Sequence, residues 1–231
     1  MHIKLLALDS SSKSCSVAVL SEQGITEKTL LDTTKGASKA LIPMLNAALV
    51  AARLTLKDLD GLVISQGPAA SFTGLRLSAS LAQGIAFSFN LPVIPVSTLA
   101  AQAQQWLSQH DASSLDSIGV VIDAKMQSYY YASYFIKDGA VAKPQTAPTI
   151  MSLDVLQQAI SLNPPSVLLT EVPLLLDTTA KTQQIIEPQH LNARYLLSLA
   201  ASKLKTQPLS SFKAEDATLD YLRTEAFWTI N

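Results

Sequence analysis

Ser65-Gln66-Gly67-Pro68-Ala69-Ala70-Ser71-Phe72-Thr73-Gly74-Leu75-Arg76 joins a short apolar run, Gly61-Leu62-Val63-Ile64, to a long apolar segment with helical spacing. A strand, a loop and a helix in that order form the junction at which α/β proteins commonly place ligand chemistry. Gly67-Pro68 supplies a turn, and Ser71 or Thr73 can cap the helix that follows. The loop carries neither the lysine of a phosphate-binding P-loop nor the full glycine set of a dinucleotide fingerprint. It has the outline of a nucleotide-fold loop without the usual catalytic residues.

Composition narrows the classes around this junction. At 231 residues the chain suits one large or two small domains. It is 48% hydrophobic and only 15% charged, yet no apolar run is long enough to span a bilayer. The net charge of −1 comes without a basic stripe, which disfavours an independent nucleic-acid surface. Sparse charge on an apolar chain points instead to a protein interface. Cys15 is the single cysteine, which excludes an intramolecular disulfide and fits a reducing cytoplasm. The opening Met1–Asp9 run reads as a first strand rather than a signal peptide, because Asp9-Ser10-Ser11-Ser12-Lys13 follows where a cleavage site would stand.

Periodicity organises the rest. Residues 3–8, 15–20 and 25–31 are strand-like, with Gly24 in a turn. A helical pattern over 38–53 puts Leu41, Ile42, Leu45, Ala48, Leu49 and Ala52 on one face. Strand 61–65, a helix from about 73 to 89 and a short strand near Val93-Ile94 follow. The order then recurs. Strand 118–122 ends at Asp123, and a strand rich in Tyr129, Tyr130, Tyr131, Tyr134 and Phe135 comes next. A third strand lies near 145–150, a helix starts at Ser152 with Asp154 in its first turn, and strand 167–169 and helix 191–204 close the series. Two β-β-β-α-β-α halves, each opening on a strand that ends in Asp, predict a duplicated ribonuclease-H-like fold of the actin, Hsp70 and sugar-kinase type. The expected division is 1–105 and 106–205, with a tail of about 206–231 packing back on the first half.

Several ordered motifs resemble one family. They are Leu8-Asp9-Ser10-Ser11 with Cys15-Ser16-Val17-Ala18, Gly67-Pro68 with Ser71-Phe72-Thr73-Gly74-Leu75-Arg76, Val96-Ser97-Thr98-Leu99, Asp123-Ala124-Lys125, and Asp220-Tyr221-Leu222-Arg223. Together they resemble the TsaB (YeaZ) family, a subunit of the bacterial machinery for N6-threonylcarbamoyladenosine in tRNA. The resemblance implies a non-catalytic paralogue of TsaD that dimerises with and activates it, helps recruit the ATPase TsaE, forms homodimers, and meets tRNA only through the complex. Ala69-Ala70 departs from the family's Gly-Pro-Gly-Ser-Phe-Thr-Gly and lengthens the loop by one residue; alanine lacks glycine's access to positive φ, so another loop path is expected. Ala37 stands near the family's histidine, Lys125 replaces arginine, and Thr170-Glu171-Val172-Pro173 replaces a glycine turn.

Each chemical reading has a plainer rival. Asp9 and Asp123 occupy the places where actin-like ATPases hold magnesium and phosphates, but their neighbours are Ser10-Ser11 and Ala124-Lys125 without glycine, and Asp is also an ordinary turn residue. Asp9, Ser10, Ser11, Gly67, Pro68, Ser71, Thr73 and Asp123 are therefore read as vestigial nucleotide-site loops, with no catalytic residue, no resident cofactor and at most residual nucleotide binding. His2, His110 and His190 lie far apart and form no metal pattern. Cys15 sits among apolar strand residues, and Ser71 lacks a Gly-x-Ser-x-Gly elbow. The tyrosine strand lacks the interleaved basic residues of a stacking platform. A stand-alone ATPase or kinase using Asp9 and Asp123, and a glycoprotease-like peptidase, stay open as alternatives.

The helices draw the functional expectation. Ala40, Met44, Ala47 and Ala51 make a second apolar stripe where a surface helix would be polar. Leu75, Ser78, Ala82, Ile85 and Phe89 run along the next helix, with small residues that allow close approach. With the resemblance, these nine residues plus Leu41, Leu45 and Ala48 form the expected partner interface. Pro43 is expected in or near the first turn, or at a kink.

Overall fold

The computed structural model describes residues 3–30, 36–138, 140–174, 182–186 and 190–222. His2, Leu31, Arg223 and the tail 224–231 lie outside them. The chain forms β1 (Leu5–Asp9), β2 (Cys15–Ser21), β3 (Gly24–Leu30), α1 (Ala37–Ala51), β4 (Gly61–Gly67), α2 (Phe72–Phe89), β5 (Val93–Ser97) and α3 (Thr98–Leu107). It continues through β6 (Ser117–Lys125), β7 (Ser128–Lys137), β8 (Ala140–Ser152), α4 (Leu153–Leu162), β9 (Val167–Thr170), β10 (Gln183–Ile186) and α5 (Arg194–Leu204).

The sheets are ordered β3-β2-β1-β4-β5 and β8-β7-β6-β9-β10. Their orders are equivalent: an antiparallel meander of three strands, then two parallel additions to the meander's first strand. This is the ribonuclease-H-like unit, present twice. Each unit has a fifth strand beyond the β-β-β-α-β-α pattern. The short strand near Val93-Ile94 is β5, while β10, with two glutamines in four residues, gave no strand signal.

Alternation along the strands sets the layers. In β1, Leu5 and Ala7 point to the core between the sheets, and Leu6 and Leu8 point to the core beneath α1 and α2. Tyr130, Ala132 and Tyr134 of β7 join the central core, and Tyr131 joins a third cluster with Leu156 and Ile160 of α4. The tyrosine strand is therefore buried sheet. Tyr134 reaches Ser97 Oγ at 3.3 Å, and burial pushes its phenol up to about 12.

α3 lies in the central core with nine of its ten residues buried. A helix buried all round takes polar residues such as Gln102 and Gln104 into the core as well, so its pattern is not that of a surface helix with one apolar and one solvated face. Its glutamines satisfy buried backbone: Gln104 Oε1 accepts from Val141 N at 3.0 Å, and Gln105 accepts from Asn192 N and donates to His190 O. The chain after α5 returns to the first unit, where Lys213 O accepts from Val93 N, Ala217 O from the Gln83 side chain, and Gln66 O from Asp220 N.

Candidate functional site

The β4–α2 loop is fastened from three sides. Gly67 has φ of +107°, a region glycine reaches readily, and its N–H donates to Thr98 Oγ1 at 3.1 Å. The Gly67–Pro68 peptide is cis. Neither Ala69 nor Ala70 has positive φ, so the left-handed residue of this loop is Gly67. Ser71 is the N-cap of α2; its Oγ accepts from Gly74 N at 3.2 Å and its N–H donates to Ser11 O at 3.0 Å. Ser10 Oγ donates to Gly74 O at 2.6 Å. Thr73 is exposed beyond the cap. The expected loop residues of the first unit thus lie on neighbouring segments, with Asp9, Ser11 and Ser71 joined by hydrogen bonds.

The two aspartates share one geometry and differ in burial. Asp9 Oδ2 accepts from Ser11 N, and Asp123 Oδ1 accepts from Lys125 N, each an i to i+2 turn at the end of a first strand. Asp9 is sealed, and its Oδ1 accepts from Ser65 Oγ. Burial pushes its carboxyl up to about 6, against the opposing hydrogen bonds from Ser65 and Ser11. Asp123 pairs with Lys125 Nζ at 2.6 Å; partial burial raises its pKa but is outweighed by the Lys125 hydrogen bonds and charge, which hold it below the usual carboxylate range. A cleft of about 590 Å³ lies between the units, bordered by Ser10, Ser12, Lys13, Ser38, Ser71, Thr73, Lys125 and Glu171. Asp9 is buried and hydrogen-bonded to Ser65 and Ser11, and Asp123 is paired with Lys125, which borders the cleft. Among the described residues no cluster of His, Cys, Asp and Glu could hold a metal. His110 stacks on Trp106, and Cys15 is buried with its thiol pushed up to about 12 by desolvation and by Asp9.

α1 and α2 lie side by side on the outer face of the first sheet. Leu41, Leu45, Ala48, Leu75, Ser78, Ala82 and Ile85 of the expected interface are buried in this chain's own core, which removes them from any contact face. Apolar residues on a helix that covers a sheet go first to that sheet. Ala47 and Ala51 are exposed, and Ala40, Met44 and Phe89 are partly so. Ile42, expected on the core face, is 53% exposed; Val50 is 76% exposed and Phe87 is 70% exposed. Pro43 stands inside α1 on its exposed side rather than in the first turn. The outer surface of the helices therefore carries Ile42, Ala47, Val50 and Ala51 beside Ser80, Gly84 and Phe87. Lys39 and Arg76 are the only charged residues in the two helices.

One feature escaped the sequence reading. Arg76, Phe72 and Tyr221 appeared there only as motif letters, yet they meet at the start of α2 across 145 positions. No local spacing signals such a pair.

A family model described as "TsaD: tRNA N6-adenosine threonylcarbamoyltransferase" matches residues 31–207. The TsaB protein of Haemophilus influenzae is 39% identical over 133 residues, covering 57% of this chain and 53% of that protein. TsaB of Escherichia coli is 27% identical over 156 residues, covering 68% and 65% respectively. The matched part thus spans between about half and two thirds of these relatives. YeaZ from Pseudomonas aeruginosa superposes with a TM-score of 0.79 at 24% identity, over 95% of this chain and all of that one, and so shares the fold. Family model and relatives together place the chain: it belongs to the TsaB (YeaZ) family, within the wider family that the TsaD model describes.

Proposed function

We propose that the chain is a non-catalytic subunit in the biosynthesis of N6-threonylcarbamoyladenosine in tRNA, and that it works by docking TsaD on the α1–α2 face. The name TsaB, "tRNA threonylcarbamoyladenosine biosynthesis protein", carried by its relatives supports the process. The observation that carries the docking role is an outer helix surface with Ile42, Val50 and Phe87 exposed and almost no charge. Such a surface on a monomer marks an interface. A TsaD model matching a TsaB-like chain implies a partner of the same fold, which favours two helices from each protein packing as a four-helix contact. Ser80 and Gly84 allow the backbones to approach, and the half-buried Met44 can adapt to two different partners, TsaD or a second copy. Holding TsaD in its active arrangement and helping to form a site for TsaE complete the reading. The burial of Asp9 and the pairing of Asp123 with Lys125 support a subunit without its own phosphoryl chemistry.

Mass measurement on a mixture of this chain and TsaD tests it. A heterodimer is the expected result, and full modification activity of TsaD and its other partners without this chain would overturn the role. Ala47→Glu is expected to abolish the heterodimer. Exposed in the monomer, the new carboxylate should change folding stability by only about 0.5 kcal/mol. Buried unpaired in the contact it should cost several kcal/mol, about a hundredfold or more in affinity. Equal loss of monomer stability would mean that the stripe is core.

A further inference from the structure

We propose that Arg76 is the charged anchor of the α1–α2 face and takes an acidic side chain of the protein that covers it; this rests on the docking reading above. Arg76 Nε donates to Tyr221 Oη at 3.1 Å, and its Cζ lies 5.8 Å from the Phe72 ring centroid and 5.5 Å from that of Tyr221. The two rings are themselves stacked, 5.3 Å apart and 8° from parallel. Phe72 precedes Arg76 by one helical turn, and Tyr221 is brought up by the returning C-terminal segment, whose Asp220 N–H is bound to Gln66 O. The guanidinium is thus held in place by one hydrogen bond and two π faces. Its remaining N–H donors, on the two Nη atoms, are a planar fork matched to a carboxylate.

Among the described residues nothing neutralises it. Among the described residues no carboxylate lies within 4 Å of Arg76, and the first turn of α2 contains no acid. An opposing charge from a partner would offset the unfavourable field that a cation meets at this end of a helix. Its position says where that charge comes from. Arg76, Ser80, Gly84 and Phe87 follow at i, i+4, i+8 and i+11, and all four are exposed. Arg76 is therefore the polar end of the same stripe that carries the apolar Phe87, continuous with the proposed contact. Arginine and tyrosine beside an apolar patch are the residue types that dominate binding energy at interfaces.

The test uses the full chain and full-length TsaD, with affinity measured at low and high salt. Arg76→Gln, which retains a donor for Tyr221, is expected to weaken binding about tenfold or more and to flatten its salt dependence. Arg76→Lys should recover only part of the loss, because the ammonium lacks the fork. Thermal melting of each variant within a few degrees of wild type separates anchoring from folding. Binding by wild type but not by Ala47→Glu, with Arg76→Gln unchanged, overturns the anchor and leaves the docking reading intact. Absence of any wild-type complex overturns both. Loss of tRNA binding in Arg76→Gln at unchanged TsaD affinity would assign the anchor to a phosphate and overturn the proposal.

Discussion

Gly74→Ala should leave the chain unable to hold its fold. A methyl group at this position would lie 1.7 Å from the carbonyl oxygen of Ser10 and 2.9 Å from both the Ser10 carbonyl carbon and Ser71 Oγ. The obstacle is backbone, so no rotamer change relieves it. Backing away would stretch the Ser10 Oγ–Gly74 O bond at 2.6 Å and the Ser71 N–Ser11 O bond at 3.0 Å, which together fix α2 to the turn after β1. Displacing α2 then uncovers Ala79, Ala82, Ile85 and Ala86, all buried in the core beneath the helices. The loss should exceed about 4 kcal/mol, beyond the usual range for a single substitution, and should read out as insoluble expression or a collapsed urea midpoint. Gly84→Ala on the same helix is the control. Nothing lies within 4 Å of its missing Cβ, and alanine should gain up to about 1 kcal/mol through helix propensity. Similar stability for the two variants would contradict the close approach at Ser10.

The contrast between these glycines marks the limit of what sequence spacing conveys. The loop 65–76 was recognisable as strand, turn and capped helix because each step is a local preference: alternation in β4, the Gly-Pro turn, the Ser71 cap. The two-unit fold was legible for the same reason, since β1, β4, β6 and β7 bury alternating or continuous apolar residues. What failed was whatever depends on distant packing. α3 buries its polar face along with its apolar one because it is surrounded by core, and β10 is specified by its neighbour β9 rather than by its own Gln-Gln-Ile-Ile. Helical spacing and the family resemblance predict an interface of twelve residues on two helices, but the protein's own core claims seven of them. Helical spacing identifies faces and cannot tell which face the protein itself covers. The cluster of Phe72, Arg76 and Tyr221 depends on a segment that returns from the far end of the described chain, and no window contains it.

Asp9→Asn is expected to stabilise the protein above pH 6 and to do nothing near pH 4. Burial raises the Asp9 carboxyl from 3.8 to about 6, so between those values the folded chain binds a proton that the unfolded chain has released. Stability then falls as pH rises through this window, and the penalty is complete above the folded value. The displacement corresponds to about 3 kcal/mol as a ceiling. Asparagine removes the charge and can keep both contacts, its oxygen accepting from Ser11 N and its amide donating to Ser65 Oγ, whose hydroxyl can rotate to suit. Urea unfolding from pH 4 to 8 should give wild-type and variant curves that coincide at the acid end and separate by about 1–3 kcal/mol at pH 8. Curves that stay parallel across the range would mean that Asp9 does not titrate in this window. Asp9→Ala should destabilise the protein at pH 4 and be less stable than Asp9→Asn at every pH, since it strands the Ser65 hydroxyl and the Ser11 N–H inside the core at about 1–3 kcal/mol for each group. The difference between the two variants separates two roles of one side chain. The charge of Asp9 burdens the fold, while its hydrogen bonds join β1 to β4 and fix the Ser10-Ser11 turn on which α2 rests. A chain that retains a buried acid at such a cost is held to the geometry the acid creates, and that geometry aims the helix proposed to meet the partner.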